Sequence, residues 1–274
     1  MQAEDQDAMP YVTVAGERLF YALFEGDLTR TQNLLLVHGA GGDHIHWPAE
    51  LRRLPGVNVY ALDLPGHGRS AGRGRASVED YADSVDLFVQ ALELERASIV
   101  GHSMGGAIAQ ILALSQPKWL VSVVLVGTGA RLRVHPLILE GLQPYNSTEI
   151  PDASRAGFEQ TIDTICKWAY GPTISEQMLR KGRQRLLSVD PVAIYGDYLA
   201  CNNFDIMDRV SVIALPTLII TGSADQMTPS KYGHYLHDQI SGAQWVDIKD
   251  GGHMMAVEKP VEVSQAVAHF LEAL

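Results

Sequence analysis

The 274-residue chain is 46% hydrophobic and 19% charged, which suits a folded protein with a sizeable core and excludes a disordered polymer. Its formal net charge of −11 argues against nucleic-acid binding, which needs a basic footprint, and against docking on acidic membranes. Residues 1–7 lack the basic and apolar regions of a secretory leader, no apolar run approaches the ~20 residues of a membrane span, and Cys166 and Cys201 make neither a metal motif nor a disulfide scaffold, so a reduced, cytoplasmic setting is expected. Along the chain, residues 11–14 and 18–24 read as strands joined by a turn at Ala15-Gly16. Residues 33–37, 57–62, 97–100 and 121–126 are short apolar runs of the kind buried in a parallel sheet. Between them, residues 77–92 read as a helix, with Ser77 as N-cap, Glu79 and Asp80 in the first turn, and Tyr81, Val85, Phe88 and Leu92 at helical spacing. The alternation resumes late, with strands over 216–220 and 244–248, a helix after Pro229 and a closing helix over 261–274. Strands alternating with helices predict an α/β fold with a mostly parallel sheet covered on both faces.

Residues 131–210 break this rhythm. Phe158, Ile162, Ile165 and Trp168 fall near one helical face, Leu179, Leu186 and Leu187 mark a second helix, and Val192, Tyr195 and Leu199 a third. The reading is a core built from 1–130 and 211–274, with a helical cap over 131–210 lying across the C-terminal edge of the sheet, where open α/β sheets bind ligands.

The sharpest motif is Gly101-His102-Ser103-Met104-Gly105-Gly106, between the strand at 97–100 and a helix over 107–114. A strand that runs straight into a helix forces a tight turn at Ser103, and glycines at 101 and 105 remove side chains that would clash there. The hydroxyl is thereby lifted off the sheet at the positive end of a helix. A serine hydroxyl is a poor nucleophile until a base takes its proton, and the base needs a carboxylate to orient it. Asp225, just past the strand at 216–220, and His253, just past the strand at 244–248, both project from the same edge as Ser103. Asp250 is the rival acid, but three residues from His253 it is too local to clamp the ring from a neighbouring strand. The backbone N–H of Met104 is one expected oxyanion donor, and the loop His38-Gly39-Ala40-Gly41-Gly42 supplies the second, at Ala40 or at neighbouring Gly39 or Gly41.

Other readings of these residues are weaker. The glycine loop lacks the Lys-Ser/Thr ending of a P-loop and a full G-x-G-x-x-G, so no nucleotide or other cofactor is expected. His38, His44, His46 and His67 match no zinc spacing, so no metal is expected either. Asp63-Leu-Pro-Gly-His-Gly-Arg-Ser70 is a turn-rich loop with a structural rather than catalytic role. Arg180, Lys181, Arg183 and Arg185 form a basic cluster that reads as a solvated helix face, with a substrate-carboxylate site as the alternative.

His38-Gly39, the 63–70 loop, Gly101–Gly106, Asp225 and Gly252-His253 together resemble the α/β-hydrolase superfamily over nearly the whole chain. That resemblance implies an eight-stranded sheet with a helical cap inserted after the sixth strand, and it supports Ser103, Asp225 and His253 as a triad. The chain is similar to small bacterial carboxylesterases, cofactor-free haloperoxidase-like enzymes and carbon–carbon bond hydrolases. Dehalogenases and epoxide hydrolases of this fold carry Asp where this chain has Ser103. The expectation is a serine hydrolase acting on a small-molecule carboxylic ester through an acyl-enzyme on Ser103. Cleavage of a diketone-like carbon–carbon bond by the same triad is the alternative, and a non-catalytic receptor is the third reading. Trp168, Tyr170, Tyr195 and Tyr198 are expected either to line an apolar substrate pocket or to pack the cap's own core.

Overall fold

Among the described residues the first turn is at Ala15 (φ +48°) and Gly16 (φ +86°), two successive left-handed residues whose twist matches a tight hairpin. The turn joins β1 (Tyr11–Val14) to β2 (Glu17–Phe24) in antiparallel register. The structure is a computed structural model that describes residues 10–26, 32–143 and 152–274. Residues 1–7, read above as lacking a leader, lie outside the described residues, as does part of the 131–210 segment.

β3 (Asn33–Val37), β4 (Asn58–Leu62), β5 (Ala97–His102), β6 (Leu120–Val126), β7 (Thr217–Gly222) and β8 (Gln244–Ile248) complete one eight-stranded sheet in the order β1-β2-β4-β3-β5-β6-β7-β8. The β2–β4 pairing is antiparallel, and every pairing from β4 to β8 is parallel. β3 shows why the sheet is covered on both faces. Leu34 and Leu36 point into one apolar cluster while Leu35 points into the other, all fully buried, each worth about 1.5–3 kcal/mol in removal from water. One face packs against α2 (Val78–Ala91), α3 (Met104–Ser115) and α8 (Lys231–Gln239). The other packs against α1 (Ala49–Arg52) and α10 (Pro260–Glu272), with the short α9 (Met255–Glu258) leading into the latter.

Between β6 and β7 the chain leaves the sheet to form α4 (Pro136–Leu142), α5 (Asp152–Ala169), α6 (Glu176–Ser188) and α7 (Pro191–Asn203). These helices hold their own cluster, with Ile138, Leu142, Ile162, Ile165 and Ile194 at its centre. Sequence reading missed α4 and misplaced the face of α7. Val192 is exposed and Tyr195 and Leu199 are half-buried, whereas Ala193, Ile194, Gly196, Asp197, Tyr198, Ala200 and Cys201 are buried. The buried face of α7 carries a charge and a glycine, so hydrophobic periodicity could not find it. Both cysteines are buried and unbridged. Among the described residues no helix is long and apolar enough to cross a membrane.

The strand order places the functional edge. β3 is followed spatially by β4 on one side and by β5 on the other, which is the topological switch point where the loops splay and leave a crevice. Val37 pairs with Gly101 at the ends of β3 and β5. The glycine-rich loop and the serine turn therefore emerge side by side.

Candidate active site

Ser103 joins β5 to α3 with φ +52° and ψ −114°, a conformation that costs a non-glycine residue on the order of 1–3 kcal/mol and persists only where the surroundings over-determine it. The surroundings do so here. A Cβ on Gly105 would collide with the carbonyl oxygen of Val37, and one on Gly101 with that of Gly105. The Ser103 N–H donates to Val126 O at 2.9 Å, and its carbonyl accepts from Thr128 Oγ1 at 2.9 Å. α3 begins directly after the serine, at Met104 rather than at Ala107, so the serine sits at the helix N-terminus.

Asp225 and His253 meet across the ends of β7 and β8. His253 Nδ1 lies 2.9 Å from Asp225 Oδ2, and both residues are buried. The carboxylate accepts three further bonds: at Oδ1 from the N–H groups of Met227 (2.8 Å) and Thr228 (2.9 Å), and at Oδ2 from the Thr228 hydroxyl (2.8 Å). Burial alone would raise its pKa, but the His253 ring and these donors outweigh burial and hold it down to about 2. A carboxylate at Nδ1 puts the ring proton there and leaves Nε2 with a free lone pair. Asp250, the rival acid, sits exposed in a left-handed turn.

His102 and Thr228 are partners that sequence reading did not single out. The His102 ring faces that of His253 at 4.8 Å, and its Nε2–H donates to the His253 carbonyl at 2.8 Å. Burial and the neighbouring imidazole hold His102 neutral, with its pKa lowered to about 3. Both residues lie within three positions of a predicted site residue, which was the available signal.

The loop after β3 passes close over the serine, so that a Cβ on Gly39 would come within 3.0 Å of Ser103 Cβ. Ala40, Ser103 and His253 line one cavity. The N–H of Met104, first in its helix, has no intrahelical acceptor, and that of Ala40 makes no hydrogen bond to any described residue. The cavity's far wall comes from the inserted helices, including Ile165, Tyr170, Leu186 and Tyr198, with Leu132, Val134 and Met227 beside them. Of the four aromatics expected at a pocket, Tyr170 and Tyr198 line this cavity and Trp168 an adjoining one. Tyr195 lines neither and packs within the cluster of the inserted helices.

The four histidines weighed as metal ligands are engaged otherwise. His38 Nδ1–H donates to Gly39 O (2.8 Å) and its Nε2 accepts from Leu64 N–H (3.1 Å). His44 binds Asp63 through its backbone N–H (2.6 Å) and Nδ1 (2.8 Å). His46 Nδ1 accepts from Asp43 N–H (2.9 Å), and His67 Nε2 meets Asp197 Oδ2 (2.8 Å). Among the described residues no group of three or more His, Cys, Asp or Glu is placed to hold a metal. In the basic cluster, Arg180 pairs with Glu176, Arg183 with Asp163 and Arg185 with Asp43, as a solvated helix face does.

The chain matches the alpha/beta hydrolase family over residues 34–266. It is 26% identical over 256 residues, 88% of this chain and 94% of the relative, to a pimeloyl-[acyl-carrier protein] methyl ester esterase from Pectobacterium carotovorum. It is 28% identical over 264 residues, 92% of this chain and 66% of the relative, to the dihydrolipoyllysine-residue acetyltransferase component of the acetoin cleaving system of Cupriavidus necator. Among solved structures it is similar to a thermophilic esterase, with a TM-score of 0.78 and 33% identity over 96% of this chain and 97% of that one.

Proposed function

The chain belongs to the alpha/beta hydrolase family, and on that premise we propose that it is a serine hydrolase cleaving small carboxylic esters. The relatives carry differently named activities, so the reading rests on the site. The observation that carries it is the buried His253–Asp225 pair at 2.9 Å, whose histidine lines one cavity with a serine held in a left-handed turn at a helix N-terminus. The esterases among the similar proteins support the substrate class.

Ser103 Oγ attacks the ester carbonyl while His253 Nε2 takes its proton. The resulting imidazolium is held by Asp225, which stays ionised because four hydrogen bonds fill its oxygens. The carbonyl oxygen becomes an oxyanion between the Met104 and Ala40 amides, two donors with no competing acceptor among the described residues. Collapse expels the alcohol, which leaves with the proton from His253. Water then gives a proton to Nε2, attacks the acyl-serine, and releases the acid and the free serine. The inserted helices act as a cap whose Ile165, Leu186 and Tyr198 give the substrate an apolar wall. No cofactor is required by this chemistry.

The test is a panel of p-nitrophenyl esters of graded acyl length, run with wild type and Ser103→Ala beside a ring-fission diketone. Ester turnover lost in the variant supports the reading. Retained turnover, or a wild type that cleaves only the diketone, overturns it.

A further inference from the structure

We propose that Asp197, on α7 of the cap, is a positioning residue that locks the peptide plane beside the Ala40 amide and so couples the cap to oxyanion stabilisation. The proposal rests on the reading of Ala40 as an oxyanion donor.

Asp197 is fully buried although it is the one charged residue of α7. Its Oδ2 accepts the Gly41 N–H and the His67 Nε2–H, each at 2.8 Å, and its Oδ1 accepts the Tyr81 hydroxyl at 2.5 Å. The three donors come from the loop after β3, the loop after β4, and α2. All belong to the core, and only the acceptor comes from the cap. A group that accepts at both oxygens and donates nothing is what three converging donors need, and a carboxylate is the side chain that supplies it.

The consequence follows from trans peptide geometry, in which C=O and N–H of one unit point in opposite directions. In the Gly39–Ala40 unit, the Gly39 carbonyl is held by Gly42 N–H at 3.0 Å and by the His38 ring at 2.8 Å. Its N–H, that of Ala40, is thereby aimed away from both and left free. In the next unit, Ala40–Gly41, the N–H is the one that Asp197 holds. Gly41 adopts φ +64°, which leaves the backbone soft at that point, and Leu186 and Ile194 of the cap press on its Cα face, within 2.9 and 3.2 Å of where a Cβ would stand. Two consecutive peptide planes are therefore pinned, the first by the core and the second by the cap. Without the second, Gly41 can rotate and carry Ala40 with it.

The test uses the full chain, with Asp197→Asn and Asp197→Ala. Four quantities are read: kcat and KM on a short p-nitrophenyl ester, the affinity of a trifluoromethyl ketone, whose serine adduct carries the oxyanion, and the amide proton shift of Gly41. In wild type the carboxylate acceptor at 2.8 Å should shift the Gly41 proton downfield. The alanine variant should lose that shift, with kcat and trifluoromethyl-ketone affinity falling in parallel by roughly ten- to a hundred-fold and KM staying within about threefold. This is less than the roughly 10²–10³ of deleting an oxyanion donor. Should the alanine variant not fold, the near-isosteric asparagine variant decides, with the same signs and a smaller loss. A folded variant with unchanged kcat overturns the proposal, as does a rise in KM with no loss of ketone affinity, which would make Asp197 a pocket wall alone. A wild type with no ester turnover overturns the hydrolase reading instead, so the two failures are distinguishable.

Discussion

Two buried histidine–aspartate pairs in this molecule have nearly the same geometry and, on the proposed reading, opposite uses. His253 meets Asp225 at 2.9 Å, and His67 meets Asp197 at 2.8 Å. The difference lies at the other ring nitrogen. His67 Nδ1 faces the Pro65 carbonyl at 3.0 Å, so both nitrogens point at acceptors and the ring is held as a cation. Burial disfavours that charge, but Asp197 beside it prevails and the His67 pKa is raised. His253 Nε2 has no such partner among the described residues, and the residue lines the same cavity as Ser103. A carboxylate beside an imidazole thus makes either a strut or a base, and the second nitrogen decides which.

Breaking the first pair should have the largest effect. His253→Ala should lower kcat for ester hydrolysis by about 10⁴-fold or more, as followed by p-nitrophenolate release, and thermal unfolding should report a lower melting temperature, because buried Asp225 loses its partner at 2.9 Å. Asp225→Asn should lower kcat by about 10³–10⁴-fold, because the amide lets the ring settle with its proton on Nε2, and KM should hardly move.

Breaking the second pair should act on stability. His67→Gln leaves Asp197 a buried, unpaired charge, and urea unfolding should report a loss of about 3–5 kcal/mol. A fluorophosphonate probe should still label Ser103 in whatever fraction remains folded.

The pairs should fail at opposite ends of the pH scale. Asp225 falls from an ordinary 3.8 to about 2, so its contribution is complete above 3.8 and is lost as pH drops through about 2. His67 is raised above its ordinary 6.5, so its contribution is complete below 6.5 and is lost as pH climbs through the folded value. Urea midpoints measured along pH should therefore separate wild type from Asp225→Asn mainly above the acid range, and wild type from His67→Gln mainly below the alkaline range. The smallest effect is expected at Arg185→Ala, whose partly exposed pair with Asp43 at 3.4 Å should shift the melting temperature by no more than about 2 °C.

Much of the core was legible because its signals are local. β1, β3 and β8 end where the apolar runs end, and Ser77 caps α2 by accepting from Asp80 N–H. β4 and β7 are shifted by one or two residues, where pairing rather than composition sets the boundary. β5 runs on through Gly101 and His102, and α3 starts three residues early, because the elbow is tighter than a glycine-rich stretch suggests. In the inserted helices the signal failed. α7 is apolar nearly all round, so its periodicity names no face, and its single carboxylate reads as solvent-facing. A lone charge among residues 191–201 was the available clue, since a helix buried on most sides has no surface on which to leave it.

The sequence alone determined the parts whose physics is carried by neighbours along the chain: the alternation that builds a parallel sheet, the glycines that permit the Ser103 turn, and the placement of Asp225 and His253 at strand ends. Tertiary structure decided what depends on groups distant in the chain. It chose which imidazole keeps a free nitrogen, set the His102 ring on the His253 carbonyl, and brought the Asp197 carboxylate 2.8 Å from an amide 156 residues earlier. Hydrogen bonds of that range depend on strand order and on the docking of the inserted helices, and neither leaves a periodic trace in the residues that make them.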